Sequence, residues 1–142
     1  MLSRPGPSED GYIADYFEYF DGSQIGNLDF VYKGGIGGAV TAARAQFKGP
    51  VKIRDFMVDA KIKAGNVTVG THDPTKMTEI EKQLFEHRWT VVTDGKMPSW
   101  LDFPFNRKTR TVREASEGPP RREKEWYIDD EHNVVYFIGG WD

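Results

Sequence analysis

The spacing of apolar positions divides this chain into short segments, some at helical and some at strand period. Tyr12, Ile13, Tyr16, Phe17, Tyr19 and Phe20 recur at helical spacing, Ser8 or Asp10 can cap them, and Asp21-Gly22 ends the run. A short N-terminal helix is therefore expected over Tyr12 to Phe20. Leu28 to Tyr32 reads as a strand entering Gly34-Gly35-Ile36-Gly37-Gly38, where the glycines free the backbone to turn. The alanines of Ala39 to Phe47 suit a helix, but the span before Gly49-Pro50 is short. A strand returning from a glycine hairpin accounts for it better.

Val51 and Ile53, then Phe56, Val58, Ala60 and Ile62, alternate with a phase slip at Arg54-Asp55, the pattern of a strand with a bulge. Asn66 to Gly70 is a further short strand. The clearest helix follows. Asp73 can cap it, Pro74 suits its first position, Thr78 and Glu81 offer a second capping pair, and Met77, Ile80, Leu84 and His87 form one stripe. The spacing predicts a helix over about 74–86. Strands are expected at Trp89 to Val92 and Thr109 to Arg113, with the aromatic and proline-rich run Met97 to Phe105 between them. Gly118-Pro119-Pro120 marks residues 114–123 as a mobile loop. Glu125 to Ile128 and Val134 to Ile138, joined by the polar turn Asp129 to Asn133, form a hairpin.

Two helices and about six or seven strands with short turns predict an α+β domain with a mainly antiparallel, barrel-like sheet. An α/β arrangement is the alternative, and it turns on whether 39–47 is helix or strand. Residues 1–11, rich in proline, glycine and acids, are read as a flexible arm, and 12–142 as a single domain.

Composition sharpens this picture. The chain has 142 residues, the size at which one core suffices, and its modest apolar content is offset by four tryptophans, six tyrosines and nine phenylalanines. With no cysteine, disulfide scaffolds and cysteine-based zinc modules are excluded. No stretch approaches the roughly 20 apolar residues of a membrane helix, and Met1 to Pro7 lacks a signal peptide's apolar run, so a cytoplasmic protein with no membrane partner is expected.

Charge is small in sum, −3, but uneven in place. Asp15 and Glu18, around the aromatic Tyr16, lie in an acidic stretch without Lys or Arg. Arg107, Lys108, Arg110, Arg113, Arg121 and Arg122 make a later segment basic. Opposite charge with aromatic flanks is the composition that interfaces favour, so these nine residues are the candidate binding surface. The leading expectation is a non-catalytic binding or assembly subunit that contacts a protein partner or its own copies.

Two other readings compete. A cofactor-independent enzyme or small-ligand binder would place His72 and Asp73 at a strand-to-helix junction, where the imidazole can move a proton and the carboxylate can orient it. Single-stranded nucleic-acid binding would use the basic segment for phosphates and Trp100, Phe103, Phe105, Trp126 and Tyr127 for bases. A dinucleotide fingerprint is faintly outlined by Gly35, Gly37 and Asp55, but Val40 stands where its third glycine belongs. No cofactor and no metal are expected, since the three histidines fall on separate elements and there is no Gly-Lys-Ser/Thr phosphate loop.

Overall fold

The structure is a computed structural model, and it describes residues 16–35, 38–63, 65–92, 95–115 and 122–141. In chain order it has strands β1 (Ile25–Gly35) and β2 (Gly38–Phe47), helix α1 (Asp55–Lys63), β3 (Val67–His72), helix α2 (Glu79–Val92), β4 (Thr109–Ala115), β5 (Arg122–Asp129) and β6 (Val134–Trp141). The strands form one antiparallel six-stranded sheet in the order β1-β2-β6-β5-β4-β3. The α+β class holds. The sheet does not curl into a barrel: it stays open, with β1 and β3 as its edges.

β2 settles the strand-or-helix question. Gly35 faces Gly38 across the hairpin, and the register runs unbroken back to Leu28 opposite Ala45. β2 then lies between β1 and β6, and Thr41, Ala42, Ala43, Ala45 and Phe47 are all buried. Small side chains on a strand covered on both faces leave room for rings from above and below. With a strand and not a helix after the glycines, the α/β alternative has no crossover to rest on.

Both faces of the sheet are covered. On one, Phe17, Tyr19, Phe20, Val51 and Val58 pack over Leu28, Ala43, Ala45, Val67, Val112, Trp126, Ile128, Val135 and Phe137. On the other, Phe85, Trp89 and Val92 of α2, with Leu101 and Phe103, cover Ala42, Tyr127, Val134, Tyr136 and Ile138. The alternation of Trp126 and Ile128 against Tyr127 on β5 is the period-two pattern of a central strand.

Three elements differ from expectation. Asp55–Lys63 is a helix and not the second half of a bulged strand. The bridge between Phe20 and Ile53, and the bond from the Arg54 amide to the Tyr19 carbonyl (2.7 Å), end the extended run there. Beyond it only Val58 of the alternating apolar set is buried, while Phe56 is 87% exposed. The main helix begins later and ends later than 74–86. Asp73 caps a separate 3-10 turn at Pro74–Lys76, and the Thr78 and Glu81 pair starts α2, each side chain bonding the other's amide at 3.1 and 2.8 Å. Trp89 to Val92, expected as a strand, is the last turn of α2, because Phe85, Trp89 and Val92 recur at helical spacing on its buried side.

That spacing also turns the helix face. Ile80 and Leu84, expected in the core, are 69% and 62% exposed, and Phe85 is 8% exposed. The N-terminal helix expectation falls partly on residues 12–15, outside the described residues. From Phe17 the chain leaves helix and turns toward the Phe20 bridge. The arm 1–11 and most of the 114–123 loop also lie outside. Glu114 and Ala115 belong to β4, and Arg122 and Glu123 to β5.

Candidate functional site

The basic segment is matched to acids inside the molecule. Asn133, at φ 57, adopts the left-handed turn conformation that closes the β5-β6 hairpin, and so presents Asp129 to His132 beside β4. Arg107 donates to Asp129 (2.8 Å) and Glu131 (2.8 Å), and Arg110 grips Asp130 with two bonds of 2.7 Å. Lys108 lies 3.7 Å from Asp73. The Arg113 charge acts on the buried His72 and Glu125. The acids that meet Arg107 and Arg110 are therefore those at the hairpin turn. Arg121 lies outside the described residues, as does Asp15; Arg122 enters β5.

Tyr16 belongs to the packed layer. Its carbonyl accepts from Trp126 Nε1 (2.6 Å), its ring lies 5.2 Å from that of Phe137, and Lys124 sits over it at 5.5 Å. The Glu18 carbonyl accepts from Arg54 at 3.4 Å. Of the rings that a single-stranded nucleic acid would stack on, Trp126, Tyr127 and Phe103 are buried, and Trp100 and Phe105 are partly buried.

Asp129, Glu131 and His132 bring three potential metal-ligand atoms within 4.8 Å of one another. The guanidinium of Arg107 already supplies the cation, lying 2.8 Å from both carboxylates and 3.3 Å from His132 Nδ1. A metal ion would have to displace it.

His72 sits at the end of β3 with its ring stacked on Phe85 at 4.4 Å and edge-on to Tyr127 at 5.5 Å. Burial lowers its pKa, with the Arg113 charge in the same direction and Asp73 and Glu125 opposing. The Nε2 of His72 and the Oγ1 of Thr109, its register partner on β4, are both buried with no hydrogen-bond partner. Asp73 does not orient the imidazole. It accepts from the Thr75 amide (3.0 Å) and hydroxyl (2.7 Å), which hold its carboxyl below the usual range. Beside this group, burial raises the Glu125 carboxyl, but the two bonds from Arg88 (2.7 and 3.1 Å) and one from Tyr127 outweigh it and hold it ionised. Arg88, Glu125 and Tyr127 thus satisfy one another as a structural network.

Gly35 closes the hairpin, Gly37 lies outside the described residues, and Asp55 opens α1. The helix N-terminus that a dinucleotide site needs after its glycines is replaced by β2. A surface cleft of about 340 Å³ is lined by Asp21, Gln24, Phe47, Gly49, Pro50 and Lys52. Its acid, Asp21, is engaged by the Ser23 amide and hydroxyl.

A further exposed surface is the outer edge of the sheet. β3 pairs with β4 on one side and, among the described residues, with no strand on the other. Its sequence Val-Thr-Val-Gly-Thr-His holds no acid, lysine, arginine or proline, and Thr68, Val69, Gly70 and Thr71 are all exposed. Edge strands are ordinarily protected by such residues or by a covering element. β1, at the opposite edge, carries Asp29 and Lys33. α1 packs against β3, and it exposes Phe56 and Ile62.

Comparison with known proteins adds no relative: a scan against family models, a search of curated proteins and a search of solved structures each find no match for this chain. No helix among the described residues is long and apolar enough to cross a membrane.

Proposed function

We propose that this chain is a non-catalytic binding or assembly subunit whose contact surface is the β3 edge together with the exposed side of α1. The observation that carries this is the run of four exposed, uncharged residues on a strand that, among the described residues, has no strand on its outer side. Strand addition to such an edge gains main-chain hydrogen bonds, and neighbouring apolar side chains supply the desolvation that makes the contact selective. Ile62 and Val69 provide them, at 42% and 50% exposure.

The reading moves the contact surface away from Arg107, Lys108, Arg110 and Arg113, whose charges act on groups of the same molecule. Removing those cations would weaken the fold before it weakened a partner contact. A photo-crosslinking residue placed at Val69, expressed in the producing cell, tests the proposal. One defined protein, this chain included, should be trapped at position 69 and not from a control position at Glu131. Equal yields from both positions, or none from 69, refute it.

A further inference from the structure

We infer that the partner is a second copy of this chain, joined β3 to β3 about a two-fold axis through Val69 and perpendicular to the sheet. The inference rests on the binding reading above and names its occupant. Residues facing one another across an antiparallel pair share a sheet face, so the register of a self-paired edge is restricted. Centred on Val69, it sets Val69 against its own copy, Thr68 against Gly70, and Val67 against Thr71. Every pair keeps its face, and none brings charges together.

The side of Val69 is also the side of α1. Val67 lies in the core cluster that holds Val58 of α1, and Val69, two residues on, points to the same face. The two-fold therefore brings both copies of α1 to one side of the joined edge, running in opposite directions. α1 is acidic where it starts and basic where it ends, with Asp55 as its first residue, Asp59 at its middle and Lys63 as its last residue. Antiparallel copies set the acidic start of one toward the basic end of the other, which favours this pairing over a parallel one. Ile62, one turn along α1 from the core-facing Val58, stands on the same side of the helix, so its exposed side chain adds apolar surface on the face that carries Val69. A single closed pair also ends growth: β1, with Asp29 and Lys33, remains the outer edge of a continuous two-copy sheet.

The test uses the full chain and two charged variants at the axis, Val69→Lys and Val69→Glu. Val69 is half exposed, so both variants should keep the parent's circular dichroism and, at about 5 µM where association contributes least, its melting profile. By sedimentation equilibrium from about 5 to about 500 µM, the parent should approach twice the mass of its 16.2 kDa chain. Each variant alone sets like charges face to face and should raise the dissociation constant by about tenfold or more, while an equimolar mixture of the two should recover the dimer. Ile62→Ser, on the sheet side of α1, should weaken association as well. A parent that stays monomeric throughout, or variants that dimerise as it does, overturns self-pairing. If a different protein is then trapped at position 69, the binding reading stands and only its occupant is wrong. If nothing is trapped there, both fall.

Discussion

Leu84 and Phe85 are neighbours in sequence with opposite fates in the fold, and mutating each to alanine separates two helix faces that periodicity alone does not distinguish. Phe85 is 8% exposed, with ring contacts to His72 (4.4 Å), Tyr127 (5.4 Å), Phe103 (5.5 Å) and Phe105 (6.0 Å). Truncating such a ring removes its transfer free energy and leaves a cavity that rigid aromatic neighbours fill poorly, so Phe85→Ala is expected to cost about 3–5 kcal/mol. Leu84 is 62% exposed. Leu84→Ala should stay within about 0.5 kcal/mol of the parent, helped slightly by the higher helix propensity of alanine. Urea unfolding measures both. With a slope of about 2 kcal/mol/M for a chain this size, the Phe85 midpoint falls by about 2 M and the Leu84 midpoint hardly moves. Equal losses, or a larger one at Leu84, would mean that α2 presents its other face to the sheet.

Further outcomes follow from the polar groups. Because burial depresses the pKa of His72, the folded state resists the proton that the unfolded state takes up near the ordinary value of about 6.5, so stability is lost as pH falls through that value. His72→Phe, which removes the orphaned Nε2, should flatten the fall in melting temperature between about pH 7 and 5, a window above that in which the depressed carboxyls of Asp73 and Glu125 titrate. An unchanged slope contradicts it. Arg107→Ala should cost about 1–2 kcal/mol in urea unfolding, less than a fully buried pair because Arg107 is partly exposed. No loss there would show that the arginine is free to meet a partner. Thr78→Ala should cost about 1 kcal/mol, by loss of the capping pair that starts α2.

Much of the architecture was legible along the chain because it is local. The glycine run announced the β1-β2 hairpin, and the apolar runs around Asp129 to Asn133 announced β5 and β6. α1 was hidden because Phe56, Val58, Ala60 and Ile62 alternate, a pattern that normally means a half-buried strand. Here Phe56 and Ile62 are left exposed, so the alternation does not report burial in the monomer. The face of α2 was ambiguous since Ile80, Leu84, His87 and Val91 form as good a helical stripe as Phe85, Trp89 and Val92. Only the aromatic cluster with Phe103 and Tyr127 decides between them.

The candidate site was legible in part for a similar reason. Uneven charge is visible in sequence, but the acids that answer Arg107 and Arg110 are brought to them by the β5-β6 turn, 20 or more positions away. The place of β3 at the edge is a property of strand order. It exists because the last two strands insert between β2 and β4, and no local pattern encodes that insertion.

Amide hydrogen exchange of the full chain, followed residue by residue as concentration rises, reads the β3 edge without any mutation. The amides of Thr68 to Thr71 that face outward should become slower to exchange as copies associate, while those of β1 stay unchanged. Exchange at β3 that is equally fast at every concentration, or protection gained at β1 instead, would contradict the assignment of β3 as the surface where copies meet.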